Sequence, residues 1–113
     1  MVKQVTITTS RSGKLLVLDA LLESASFNNT TGVTLHYSVG VYVDGTPVPG
    51  TYAQGFTVPP MGSSSYGPVG PLYGSLANVG AGSHTVAITV RTTDTAVDYL
   101  TGGSGRLLVV ATG

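Results

Sequence analysis

The sequence predicts an all-β protein folded as an antiparallel β-sandwich, and three features predict it. Apolar and polar residues alternate with a period of two in several runs, the pattern of strands with one buried face. Turn-forming residues separate these runs at short intervals, the spacing of a sandwich or barrel. The chain has 113 residues, 42% of them apolar. That is enough for one core and too little for two, so residues 1–113 are expected to form a single domain.

Residues 2–9 alternate first, with Val5 and Ile7 set against Thr6 and Thr8, and Arg11-Ser12-Gly13 ends the run. The segment from Lys14 to Ser26 is ambiguous. On a helical wheel its leucines cluster while Asp19, Glu23 and Ser26 face the other way, and Leu, Ala and Glu favour helix. As a strand, its even positions (Leu16, Leu18, Ala20, Leu22) form a clean apolar face and its odd positions are mixed. Pattern alone leaves helix and strand open. Asn28 to Gly32 reads as a loop. In 33–43 the odd positions Val33, Leu35, Tyr37, Val39, Val41 and Val43 predict a strand, and Asp44-Gly45 before Thr46-Pro47 predicts a hairpin.

Gly55 to Gly74 is the least regular stretch, with Pro59, Pro60, Pro68, Pro71 and the cluster Ser63-Ser64-Ser65. It reads as a long loop of the kind that carries function. A turn at 79–83 leads into a strand over 84–91, where Val86, Ile88 and Val90 alternate with Thr85, Ala87 and Thr89. Thr101 to Gly105 reads as a glycine-rich lead into the last strand. That strand, Leu107-Leu108-Val109-Val110-Ala111, is apolar at both parities, which predicts cover on both of its sides.

Charge is scarce and unevenly placed. Five basic and five acidic residues make up 9% of the chain, where about 25% is usual. From Gly45 to Val90 there is no Asp, Glu, Lys or Arg. Interface cores are depleted in Lys, Glu and Asp, so this stretch is expected to face another protein; a hydroxyl-, Gly- and Tyr-coated loop region is the alternative. A nucleic-acid partner calls for a basic stripe that is missing. A membrane helix would need roughly 20 consecutive apolar residues. The opening Met1-Val2-Lys3-Gln4 shows no signal segment, and with no cysteine in the chain synthesis in a cytoplasm is expected, with no membrane partner.

Catalysis requires an activated nucleophile, a base or a metal site. His36 lies on the polar face of its strand and His84 opens another, so both read as surface or interface residues. Asp94 and Asp98 flank a turn and read as hairpin residues, since Ca²⁺ takes about six or more oxygen ligands. Asp19 and Glu23 share a face but lack the company of a glycosidase pair. Gly80-Ala81-Gly82 has no following Lys-Ser/Thr and is a turn, not a phosphate loop. Asn28-Asn29-Thr30-Thr31 holds overlapping glycosylation sequons, read as coincidental. The expectation is a protein that is not an enzyme, with no catalytic residue, metal or cofactor. Tyr52, Tyr66 and Tyr73 bracket the uncharged region; a protein interface, sugar stacking and anchoring of the loops all stay open for them.

The order of features also carries a resemblance. Lys14-Leu15-Leu16-Val17-Leu18, Val43-Asp44-Gly45-Thr46-Pro47-Val48, Ala81-Gly82-Ser83-His84-Thr85-Val86-Ala87-Ile88-Thr89-Val90-Arg91 and Arg106-Leu107-Leu108-Val109-Val110 resemble the TNF/C1q-like jelly-roll domains of bacteriophage virion proteins, over most of 14–111. The resemblance implies a jelly roll of eight to ten strands, with 14–26 as a strand, assembling as a homotrimer. It implies a structural virion protein, best matched by a capsid decoration or head-fibre protein, whose partners are itself and other capsid or tail proteins. The alternative is a receptor- or carbohydrate-binding tip of a tail fibre, with a host-surface glycan as ligand. In such a trimer Leu108 and Val110 are interface candidates, one expected to face the core and the other the partner.

Overall fold

The computed structural model describes residues 3–60, 62–95 and 99–112. They form nine strands and no helix: β1 (Lys3–Thr9), β2 (Gly13–Asn28), β3 (Leu35–Val43), β4 (Thr46–Pro47), β5 (Ala53–Val58), β6 (Ser63–Tyr66), β7 (Val69–Val79), β8 (Gly82–Arg91) and β9 (Leu100–Thr112). Two antiparallel sheets pack face to face as a β-sandwich. In the first, the order is β1-β8-β3, and β4 and β5 share the far side of β3 in succession. In the second, β2 is central, with β9 along one side and β7 followed by β6 along the other. At the sandwich's open sides β1 lies beside β9 and β5 beside β7. The molecule measures 48 × 24 × 19 Å.

The ambiguous 14–26 segment is strand, and its mixed parity has a cause. β2 buries Leu15 and Val17, then Ala20 and Leu22, then Ala25 and Phe27. Each change of parity coincides with a register shift against β9, between Val17 and Asp19 and between Leu22 and Ser24. A β-bulge inserts one residue and flips every later side chain to the other face. The even face read from the sequence is therefore not the core face. Leu16 and Leu18 point outward, and only Ala20 and Leu22 of that set are buried.

Three more expectations are corrected. Val33 is exposed and precedes β3. The irregular Gly55–Gly74 stretch is mostly strand, divided among β5, β6 and β7. Its prolines fit because Pro68 and Pro71 lie along the edge of the second sheet, where a missing ladder N–H is tolerated. Its glycines fit because backbone passes close by: a Cβ on Gly67 (φ +133) would lie 2.5 Å from the Glu23 carbonyl oxygen, and one on Gly70 (φ +117) 2.7 Å from that of Ala20. Thr101–Gly105 is not a lead-in but part of β9, paired with the far end of β2.

The predicted hairpin forms at Asp44-Gly45, with φ of 48° and 85°. Two successive positive φ values match the twist of a tight hairpin. Between the sheets, Leu15, Leu22, Phe27, Leu35, Val39, Val41, Val58, Val86 and Ile88 are fully buried, each contributing about 1.5–3 kcal/mol as apolar surface leaves water. One end of this core is aromatic. Phe27 contacts Tyr37 at 4.6 Å between centroids and Phe56 at 5.5 Å, and Phe56 stacks on Tyr66 at 4.9 Å.

Candidate functional site

The three tyrosines singled out by the sequence occupy three different environments. Tyr66 is half-buried against Phe56 and Phe27 and extends the aromatic end of the core. Tyr73 stands on the outer face of the second sheet, and Tyr52 beside the outer face of the first. They do not converge on one site.

The outer face of the second sheet is apolar at its centre. Leu16 of β2 is flanked by Ser75 and Val110, and Asp19 is paired with Leu108 and Leu21 with Arg106. Because the first bulge sets both Leu18 and Asp19 outward, Leu18 joins the same face opposite Tyr73. The exposures are 45% for Leu18, 59% for Tyr73, 54% for Leu108 and 40% for Val110. Arg106 Nε donates to Asp19 Oδ2 at 2.7 Å within this face, and Lys14 and Glu23 lie further along β2 toward its two ends. Leu108 and Val110 do not divide between core and exterior. Two residues apart on a strand, they share the outer face, and Leu107 and Val109 pack on the core.

The outer face of the first sheet is polar and aromatic. Tyr42 of β3 lies over Gly40: a Cβ there would sit 3.3 Å from the Tyr42 ring. The guanidinium carbon of Arg91, the last residue of β8, is 5.0 Å from the centroid of that ring, within the range of a cation–π contact. Tyr52 is 69% exposed. It is held by its neighbour Thr51, whose buried hydroxyl donates to the Val48 carbonyl at 2.7 Å and accepts from the Val41 N–H at 3.1 Å. Tyr52, Tyr42, Arg91, Ser38 and His36 border a shallow depression of about 490 Å³.

Both histidines are engaged with aspartates. His36 donates its backbone N–H to Asp94 Oδ2 at 2.5 Å, with Nδ1 2.8 Å from the same oxygen. These contacts hold the Asp94 carboxyl below its ordinary range, the backbone N–H most of all. His84 sets Nδ1 2.6 Å from Asp44 Oδ2 and Nε2 2.6 Å from the Gly80 carbonyl oxygen. Both neighbours are acceptors, so the ring satisfies both only when each nitrogen carries a proton. The Asp44 contact, then that to Gly80, raises the His84 pKa; the Thr85 N–H and then His84 lower that of Asp44. These are the contacts of a turn clamp joining the β3–β4 hairpin to the β7–β8 turn.

Among the described residues no three His, Cys, Asp or Glu gather as a metal site would require. Asp94 is occupied by His36, and Asp98 lies outside the described residues. Asp19 is occupied by Arg106, apart from Glu23. Asn29, in the sequon, is buried and fully bonded. Its two amide N–H groups are shared among the carbonyls of Val33, Val58 and Pro59, and its oxygen accepts from the Thr31 N–H and hydroxyl. No protein-family model matches the chain, and neither the curated proteins nor the solved structures include a significant match.

The sequence did not identify Leu16 and Leu18 as outward residues, since alternation without bulges sends them inward with Ala20 and Leu22. The pairing of Tyr42 with Arg91 was out of reach as well, because it depends on β3 lying next to β8. The available signal was an aromatic residue on the polar parity of a strand.

Proposed function

We propose that the protein is a structural assembly subunit. It is a TNF/C1q-like jelly-roll sandwich that forms a homotrimer and decorates a bacteriophage capsid or head fibre through protein–protein contacts, without catalysis. The observation that carries this reading is the outer face of the second sheet, where Leu18, Tyr73, Leu108 and Val110 are together on one surface and 40–59% exposed. Contiguous apolar patches of this kind mark interaction surfaces. β7, which falls in the Gly45–Val90 span without Asp, Glu, Lys or Arg, borders this face and adds no charge to it, in keeping with the lack of charge in interface cores. Light scattering on the purified chain and co-sedimentation with capsids or tails test the reading. A trimer that pellets with particles is the expected result; a micromolar monomer that stays in the supernatant overturns it.

A second reading, a receptor- or carbohydrate-binding module, is favoured by Tyr52, whose ring is 69% exposed at the rim of the depression on the first sheet. A glycan array without a hit removes it.

A further inference from the structure

We infer that the outer face of the first sheet is a binding site for an acidic saccharide, one whose sugar carries a carboxylate, with Arg91 as the anion contact, Tyr42 as the ring that seats the guanidinium and Tyr52 as the sugar platform. The inference rests on the second reading above and is independent of the first, because it uses the opposite face of the sandwich.

Four observations carry it. Arg91 is exposed and makes no ion pair among the described residues, so its fork of N–H donors is open to a planar anion. The nearest acidic residue in sequence, Asp94, is already engaged by His36. The guanidinium is positioned in advance, 5.0 Å over the Tyr42 ring, and Tyr42 in turn lies on the strand because Gly40 offers no side chain beneath it. Binding therefore does not have to order the cation or this ring, which removes part of the usual cost.

The shape suits a chain longer than one sugar. Tyr42 and Arg91 border two depressions, of about 490 Å³ on the Tyr52 side and about 350 Å³ on the Asp44 side. The walls carry hydroxyls, from Ser38 and Thr92 on one side and Thr85 and Thr89 on the other. The exposed Tyr52 ring can stack on the apolar face of a sugar, hydroxyl rows bond to sugar hydroxyls, and the guanidinium selects the carboxylate. A peptide would instead want an open strand edge to pair with or an apolar groove, and this face is the middle of a sheet.

The test is a titration of the full chain, followed by NMR, with a tetrasaccharide of alternating glucuronate and N-acetylglucosamine. Neutral maltotetraose and a glutamate-rich peptide are the controls. Millimolar or tighter binding of the acidic sugar is expected, with shifts at the Tyr42 and Tyr52 rings and weakening as salt rises. Arg91→Ala should lower the affinity about tenfold or more, the loss of a hydrogen bond to a charged group. Arg91→Lys should fall between, and Tyr52→Ala should weaken binding with the fold intact by circular dichroism. Equal binding of maltotetraose or of the peptide, or undiminished binding by Arg91→Ala, overturns the acidic-sugar assignment while leaving the wider carbohydrate reading in place. No shift with any sugar overturns both.

Discussion

His84 and Asn29 show how single side chains hold loops to the sandwich. His84 bridges Asp44 and the Gly80 carbonyl, and a neutral ring with one N–H must give up one of these bonds. Its folded pKa lies above the ordinary 6.5, so the clamp's contribution is complete below pH 6.5 and is lost as pH rises through the raised value. The Asp44 pKa lies below 3.8, so its share is present above pH 3.8 and is lost as pH falls through the lowered value. Melting temperature followed from about pH 6 to about pH 9 should therefore decline in the native chain as the imidazole titrates. In His84→Gln that decline should flatten, and an identical slope in the variant contradicts the clamp. At Asn29 the amide nitrogen faces three carbonyl oxygens. Asn29→Asp keeps the shape but sets acceptor against acceptor, leaving buried groups without donors. Urea unfolding at neutral pH should show a loss of about 1–3 kcal/mol or more; an unchanged midpoint contradicts it.

The elements owe their shapes to where strands bend and cross. β7 passes beneath the 48–51 turn at Gly74, where an added Cβ would collide with the Pro49 carbonyl oxygen and sit 2.8 Å from Thr51 Cγ2. Ser75 donates to that same carbonyl at 3.3 Å, so the turn has little freedom to retreat. Gly74→Ala should cost about 1–3 kcal/mol by overpacking, read as a lower urea midpoint at unchanged slope. Gly80→Ala, with nothing within 4 Å of the added atom, is the control. This crossing marks the limit of what the sequence makes legible. Alternation gave β1, β3 and β8 and the Asp44-Gly45 hairpin, because those strands run regularly with one face inward. It failed on β2, where two bulges exchange the faces, since the residues that cause a bulge look no different from their neighbours. It failed on β6, β7 and the first half of β9, where Gly and Pro serve close approach and edge position rather than chain reversal. The interaction faces were half legible. Tyr73, Leu108 and Val110 were named from chemistry, whereas Leu16 and Leu18 needed the bulges, and Arg91 over Tyr42 needed the strand order.

At the scale of the whole molecule, the two outer faces differ in kind. Among the described residues, the first sheet presents threonines, tyrosines, an arginine and the His36–Asp94 contact; the second presents leucine, valine and one tyrosine around the Asp19–Arg106 ion pair. The apolar residues of β9 separate the needs of the fold from those of assembly, because neighbours in sequence point to opposite sides. Leu107 and Val109 pack on the core while Leu108 and Val110 look outward. A carboxylate at 107 would lie against the core without a partner, which is strongly unfavourable. The same carboxylate at 108 enters water in the isolated chain, where its neighbour across the strands is Asp19, a like-charge pair that costs about 1 kcal/mol or less. Leu107→Asp should therefore lose the cooperative melt altogether. Leu108→Asp and Val110→Asp should keep a cooperative melt, at the lower midpoint left once assembly no longer stabilises the fold, yet sediment as monomers and fail to pellet with particles, since the partner would have to bury an unpaired charge. The comparison separates folding from assembly within one strand. A Leu108→Asp chain that still forms the native oligomer would mean that this face is not the contact, and the assembly reading would lose the observation on which it stands.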